Sequence, residues 1–181
     1  MSSVVFLRAV NVGGTNRCQP AQIAKQLGEF GVVNIGAVGT FVVREDVSES
    51  ALRKKIAVQL AKAFGVKCEI MICPAKAIID LTRKDPFAGE RGDDIDAHVT
   101  ILAKRPAKIP ELPIYAPSNE KWEIKIARVV GTGVICFRRR LKDGRLYPNA
   151  VVEKQFGIAA TTRSWNTIEK VGKILRQDSR N

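Results

Sequence analysis

Patterns of apolar and polar residues predict a regular order of elements over the first 73 residues. Residues 4–10 are rich in β-branched and aromatic side chains and are typical of a buried strand. Two short apolar runs, residues 32–35 and 41–43, enclose a glycine-containing turn and predict an antiparallel hairpin. Residues 68–73 predict a fourth strand, which Pro74 ends.

Two segments between these strands carry apolar residues at helical spacing. The first helix is expected to start near Pro20 and to end at Gly31, and the second starts at Ser48, a typical N-cap, and ends at Gly65. Their apolar stripes are Ile23, Leu27 and Phe30 in the first helix, and Leu52, Ile56, Leu60 and Phe64 in the second. The predicted order is therefore β-α-β-β-α-β, the ferredoxin-like split βαβ plan.

The second half of the chain has a less regular pattern. Strands are predicted over residues 98–102, 122–130 and 134–137, and helices over 75–82, 148–156 and from about 164 to 177. Four prolines between residues 104 and 118 exclude a regular helix there. The fold expected is α+β, with two packed ferredoxin-like (split βαβ) or related sub-domains with antiparallel sheets. Residues 1–84 form the first sub-domain, 85–96 the linker, and 97–181 a basic second sub-domain.

Charge changes this picture, because the chain is strongly basic. The chain has 30 Lys and Arg residues and 18 Asp and Glu residues, which gives a formal net charge of +12. From Lys121 to the end there are 14 basic and 5 acidic residues, a net charge of +9. Such an excess favours polyanions such as nucleic acid, although a basic protein without such a partner has the same composition.

The four cysteines and the single histidine argue against a metal site. Neither a C-x-x-C pair nor a companion histidine for a cysteine occurs, so no zinc site and no cofactor are predicted. His98 with a cysteine has no local catalytic signature, and no residue earns a catalytic role, which leaves enzymatic activity undecided. The apolar start of the chain is too short and too polar for export or for a membrane span. We therefore expect a cytoplasmic protein without a membrane partner.

A glycine-led turn follows the first predicted strand and precedes the first helix. This context exposes backbone N–H groups to an anion, although the stretch is neither a P-loop nor a G-x-G-x-x-G motif. A tight structural turn and an anion or nucleotide contact are both compatible with it. Arg8 interrupts the apolar strand and is either paired structurally or acts as a clamp on a phosphate or carboxylate. The candidate anion-binding residues are Arg8, Asn11, Gly13, Gly14, Asn16 and Arg17.

The densest basic cluster lies late in the chain, after the last strand of the second hairpin. It is either a solvated hairpin end or a patch that neutralises nucleic-acid phosphates. Aromatic residues make up only 6% of the chain, which limits the platforms on which bases could stack. Asp93, Asp94 and Asp96 lie in the predicted linker and are interpreted as a solvated loop rather than as metal ligands. The candidate polyanion-binding residues are Arg138, Arg139, Arg140, Lys142 and Arg145.

Three motifs resemble one known family. Residues 7–16, Leu-Arg-Ala-Val-Asn-Val-Gly-Gly-Thr-Asn, resemble the L-R-G-[IV]-N-V-G-G-x-N signature of the bacterial domain-of-unknown-function 1697 family (DUF1697). Residues 147–149 resemble its Y-P-N element, and residues 161–167, Thr-Thr-Arg-Ser-Trp-Asn-Thr, resemble its T-x-R-N-W-N-T. The order and spacing extend the resemblance over nearly the whole chain. The resemblance implies a compact α+β fold and brings no settled activity.

The chain departs from the family pattern at several places. Ala9 stands where the family has glycine, Thr15 where it has lysine, and Ser164 where it has asparagine. Gly39-Thr40-Phe41 replaces its S-G-N segment, and Val151-Val152-Glu153 replaces its Ser-Lys-Leu run. A family ligand that uses the lysine or the S-G-N turn would therefore bind differently here or be lost.

Two classes of function follow from the sequence. In the first, the protein is a non-enzymatic binder of nucleic acid or another polyanion through its basic last third. In the second, it binds or transforms a small anionic, nucleotide-like ligand at the Gly13-Gly14 turn. That turn is expected to face the region of Tyr147 and Trp165. The oligomeric state is left open.

Overall fold

Two antiparallel sheets organise the chain. A computed structural model describes residues 2–8, 18–65, 67–90 and 92–178, and within them it contains nine β-strands and five α-helices. The chain divides into two compact units, unit 1 with Met1–Ile79 and Lys170–Asn181, and unit 2 with Asp80–Glu169. The predicted α+β class is confirmed.

Unit 1 contains a four-stranded sheet with the strand order β2-β3-β1-β4, in which every paired neighbour is antiparallel. Its elements are β1 (Ser3–Leu7), α1 (Pro20–Gln26), β2 (Val32–Asn34), β3 (Thr40–Val43), α2 (Glu49–Phe64) and β4 (Ile70–Pro74). The helix α3 (Ala75–Arg83) follows β4 directly. The predicted β-α-β-β-α-β order is therefore found.

The apolar stripes of α1 and α2 form the core of unit 1 with one face of the sheet. Ile23 and Leu27, together with Leu52, Ile56 and Leu60, are at most 1% exposed and cluster with Val5, Leu7, Phe41 and Val43. The N-cap prediction at Ser48 is confirmed, because its Oγ accepts a hydrogen bond from the backbone N–H of Ala51 at 3.3 Å. Gly65 ends α2 in the left-handed conformation that glycine adopts most readily.

The first helix is shorter than predicted. It ends at Gln26, and Gly28–Phe30 form a 3-10 turn instead of a further α-helical turn. Gly28 has a low helix propensity, which explains why the α-helix ends before it. Phe30 still packs against the core of unit 1. The first strand ends at Leu7.

Unit 2 contains a five-stranded sheet with the strand order β6-β7-β8-β5-β9. Its elements are β5 (Ile95–Leu102), β6 (Ile114–Ala116), β7 (Ile124–Val130), β8 (Gly133–Arg139), α4 (Pro148–Phe156) and β9 (Ala160–Ser164). The helix α5 (Trp165–Asp178) follows β9 directly. Val151 and Val152 of α4 pack against Ile124, Ile126, Val134 and Cys136 in the core of this unit.

Two strands of unit 2 were not predicted. β6 lies in the proline-rich segment, and β9 has the sequence Ala-Thr-Thr-Arg-Ser, which lacks apolar alternation. Pairing with β5 nevertheless buries Thr161 and Arg163 of β9, which are each 5% exposed. A tertiary environment that can bond polar side chains therefore overrides the weak local strand signal.

The division into units differs from the expected linker over residues 85–96. It falls inside α3 and again inside α5, because residues 80–84 belong with the second unit and 170–181 with the first. In the described ranges, no helix combines the length and the apolar character needed to cross a membrane.

Candidate functional site

The glycine-led turn that the sequence singles out falls largely outside the described residues. Asn11, Gly13, Gly14, Asn16 and Arg17 all lie there. Arg8 is described: its backbone N–H donates to the carbonyl oxygen of Glu69 at 2.9 Å and extends the β1–β4 ladder by one bond. Its side chain is half-buried. The clamp role of Arg8 and the juxtaposition with Tyr147 and Trp165 stay predictions.

The register of β5 and β8 brings the acidic residues of the predicted linker to the arginine cluster. Asp96 lies opposite Arg138 in the ladder. Asp96 Oδ1 is 3.5 Å from Arg140 Nε, and the carbonyl oxygens of Asp93 and Asp94 accept hydrogen bonds from the Arg140 side chain and backbone. Asp93, Asp94 and Asp96 are therefore not a loop that contacts only solvent, because β5 begins at Ile95 and places them beside β8.

Arg139 is also occupied by neighbouring groups. Its Nε lies 3.8 Å from Asp94 Oδ2, and its guanidinium stacks over the Trp122 ring at 4.1 Å from the ring centroid. Arg139 and Arg140 thus contact the segment that leads into β5 from the end of β8. Their charge is partly neutralised before any ligand arrives.

The other three cations of the predicted cluster have a different environment. Arg138 lies over the ring of Tyr147 at 4.6 Å, and that tyrosine is 59% exposed. Lys142 and Arg145 are exposed in the segment between β8 and α4. Within the described part of the chain, no carboxylate forms an ion pair with Arg138, Lys142 or Arg145. We call these four residues, Arg138, Lys142, Arg145 and Tyr147, the Tyr147 cluster.

Glu123 positions the segment that carries the Tyr147 cluster. Its Oε2 accepts hydrogen bonds from the backbone N–H groups of Arg145 at 2.8 Å and of Leu146 at 2.9 Å. Its carbonyl oxygen accepts a third from the backbone of Arg139 at 2.8 Å. A single residue therefore ties the end of β8 to the start of α4, a role that sequence analysis missed because nothing local marks a carboxylate 22 residues away.

A polar cavity of about 500 Å³ lies where β5 begins and β9 ends, at the same end of the sheet as Arg138. Its lining includes Asp96, His98, Ser164, Trp165 and Asn166. Burial lowers the pKa of His98 from its usual value, although the neighbouring Asp96 opposes that effect. The imidazole is therefore neutral at physiological pH. The sequence signal for this cavity is the Thr161–Thr167 motif, to which no role was given.

A cysteine–histidine nucleophile is not supported by the geometry. His98 lies opposite Cys136 in the β5–β8 ladder, so the two share a face of the sheet. Cys136 is completely buried, and burial raises the pKa of its thiol to about 12. The thiolate needed for nucleophilic attack is thus almost absent at neutral pH.

The residues that the structure describes contain no set of side chains placed to bind a metal ion. No group of three or more His, Cys, Asp or Glu side chains there is placed to hold an ion. Cys18, Cys68, Cys73 and Cys136 are all free thiols.

Comparison with known proteins identifies a family and a similar solved structure. The model of a family described as protein of unknown function (DUF1697) matches residues 1–129. That range contains the motif of residues 7–16, whereas residues 147–149 and 161–167 lie beyond it.

A conserved bacterial protein from Streptococcus pneumoniae has a similar structure, with a TM-score of 0.58 and 12% sequence identity. The match covers 96% of this chain and 98% of that chain, and at such low identity it shows a shared fold alone. No curated protein matches the sequence. Because the family model matches well over half of the residues of this chain, the chain belongs to the DUF1697 family.

Proposed function

We propose that this protein binds single-stranded nucleic acid through the Tyr147 cluster, without catalysing a reaction. The observation that carries the proposal is the combination of an exposed aromatic ring with three cations that form no ion pair with any residue the structure describes. Phosphates would be neutralised by Arg138, Lys142 and Arg145, and a base would stack on Tyr147. Arg139 and Arg140 are removed from the predicted set as direct contacts, because aspartates already engage them.

The chemistry favours a single strand over a duplex. A base can reach an exposed ring only when it is not already stacked in a helix. The Tyr147 ring is already covered on one face by the Arg138 guanidinium, which leaves its remaining surface for a base. The net charge of +12 adds a long-range attraction for any polyanion, which is sequence-independent.

The test is fluorescence polarisation with a labelled single-stranded oligonucleotide at several salt concentrations. The triple variant R138Q/K142Q/R145Q should lower the slope of log K against log salt by about 2, because three phosphate contacts are lost. The variant Tyr147→Leu should weaken binding about tenfold or more and leave the slope unchanged, because it removes stacking and not charge.

A matched control removes the same charge from unit 1. Lys25, Lys54 and Lys62 are exposed and form no ion pair among the described residues. The variant K25Q/K54Q/K62Q should bind like the natural protein. Equal losses in both triple variants would show that net charge alone drives association. Tight binding of heparin that Tyr147→Leu does not affect would identify a general polyanion binder.

Two structural inferences accompany this proposal. We infer a ferredoxin-like plan for unit 1, supported by its β-α-β-β-α-β order and its strand order β2-β3-β1-β4. Unit 2 has a related plan with an additional edge strand. We also infer a cytoplasmic location, which the four free cysteines support. The small-ligand alternative at Gly13 and Gly14 stays a prediction.

A further inference from the structure

A groove of about 770 Å³ lies in unit 2 where the chain leaves β5 and where it enters β9. One wall is formed by residues 104–110 and the other by residues 155–158. The backbone N–H of Ala103 donates to the carbonyl oxygen of Ala159 at 2.8 Å, which continues the β5–β9 ladder and joins the two walls at their base. We call this feature the β5–β9 groove.

Cations line one wall of the groove. Lys104, Arg105 and Lys108 are exposed, and none of them has an ion-pair partner in the described part of the chain. Glu153 of α4 accepts a hydrogen bond at its Oε1 from the backbone N–H of Ala160 at 2.8 Å. These three cations therefore differ from Arg139 and Arg140, which aspartates already engage.

Apolar side chains line the rest of the groove. Ile109 is 55% exposed, and Phe156 and Ile158 are half-buried with their inner atoms packed against the core beneath α4. Exposure of the Ile109 side chain to water is unfavourable in free energy, so an apolar ligand that covers it would be stabilised. Pro106 and Pro110 restrict the backbone of their wall, so the groove is largely preformed.

We propose that the β5–β9 groove binds a small amphiphilic anion, an organic phosphate or carboxylate with an aliphatic or aromatic body. The anionic end meets Lys104, Arg105 and Lys108, and the apolar body covers Ile109 and Phe156. The volume lies within the range of about 300 to 1,000 Å³ of small-molecule sites. An inorganic anion would use only the exposed charges, which contribute little individually in water. A long polyanion would leave the apolar wall unused.

The experiment uses 1-anilinonaphthalene-8-sulfonate, a fluorescent amphiphilic anion, with the full chain. Binding should saturate at one site and weaken about tenfold in K104Q/R105Q/K108Q, because three modest charge contacts are lost. The control variant K25Q/K54Q/K62Q, with the same net charge, should bind as the natural protein does. A second variant, Ile109→Ser, alters an exposed side chain with little risk to folding, and it should weaken binding about threefold or more through lost apolar contact.

Competition identifies the ligand chemistry. Octyl phosphate and octanoate should each displace the dye, and the tighter of the two shows whether the site prefers phosphate or carboxylate. Inorganic phosphate and octanol should not displace it at equal concentration, because each supplies only one half of the required chemistry.

Three results would overturn the proposal. The first is dye binding that K104Q/R105Q/K108Q leaves unchanged, and the second is equal displacement by inorganic phosphate. The third is absence of dye binding together with no calorimetric heat on titration with octyl phosphate. The groove shares no residue with the Tyr147 cluster, so R138Q/K142Q/R145Q should leave dye binding intact. This inference therefore stands or fails separately from the proposed nucleic-acid binding.

Discussion

The two units build the same spatial arrangement of four strands from very different residues. The order β2-β3-β1-β4 in unit 1 corresponds to β7-β8-β5-β9 in unit 2, with β6 added at an edge. The pairings correspond residue by residue: Ser3 faces Val43 and Pro74, and His98 faces Cys136 and Ser164. In both units the last strand runs directly into a helix.

The interior of the corresponding strands differs sharply. Ile72 and Cys73 of β4 correspond to Thr162 and Arg163 of β9. Arg163 is 5% exposed, and its Nη1 donates to Thr161 Oγ1 at 2.8 Å and to the Thr162 carbonyl oxygen at 2.9 Å. Burial lowers the pKa of Arg163 to about 10, so it remains charged at neutral pH. One backbone plan therefore accepts an apolar or a polar strand, provided that each buried polar group finds partners.

The first connection also differs between the units. In unit 1 it contains α1, whereas in unit 2 residues 103–123 contain four prolines and the short edge strand β6. A segment without a regular helix cannot cover its unit with a continuous apolar stripe. The three cations and Ile109 of the β5–β9 groove lie in this segment, whereas Phe156 and Ile158 come from the end of α4 and the residues after it.

The largest predicted effect contrasts two left-handed glycines. A Cβ added at Gly39 in unit 1 would lie 2.7 Å from Leu7 Cβ, at a φ of +70°. Gly39→Ala should therefore lower the free energy of unfolding by about 3 kcal/mol, through backbone strain and overpacking together. Gly157 in unit 2 has a φ of +63° and open space around it. Gly157→Ala should cost only about 1 kcal/mol, through backbone strain alone. Urea denaturation that gives equal losses would contradict the tight packing at Gly39.

The next effect compares the segments that precede α2 and α4. Glu123→Ala removes a carboxylate that accepts hydrogen bonds from two backbone N–H groups in unit 2, and it should cost about 2 kcal/mol. Ser48→Ala removes one N-cap acceptor in unit 1 and should cost about 1 kcal/mol. Thermal unfolding of both variants measures the difference. A smaller loss for Glu123→Ala would mean that water replaces its carboxylate.

The smallest effect concerns the pH dependence of stability. It arises at His98, the position in unit 2 that corresponds to Ser3 in unit 1. Burial, and the charge of Arg138, lower the pKa of His98 in the folded protein, whereas the unfolded chain takes up its proton near the usual value of about 6.5. Protonation thus favours the unfolded chain, and stability is fully present above about pH 6.5 and falls as the pH drops below it. His98 is the sole histidine, so the variant His98→Gln should flatten the melting temperature between about pH 7 and pH 5.5. A slope unchanged in that variant would rule His98 out as its origin.

Much of unit 1 could be predicted from its sequence, because its signals are local. The stripe of Leu52, Ile56 and Leu60, the cap at Ser48 and the stop at Gly65 each act within a few residues of the chain. In unit 2, α4 has the predicted bounds, since Pro148 and Gly157 mark its ends. The polar strand β9 was missed because its stability comes from β5 and not from its own residues.

The sequence alone established the family, the α+β class, the excess of positive charge and the location of the arginine cluster. Only the tertiary structure decided which of those cations remain available. Asp94 and Asp96 lie within ion-pair distance of Arg139 and Arg140, whereas Arg138, although opposite Asp96 in the β5–β8 register, lies over Tyr147 and forms no ion pair among the described residues. Charge is a property of composition, whereas its neutralisation depends on separations of a few ångströms between residues more than 40 positions apart, and strand pairing sets those separations.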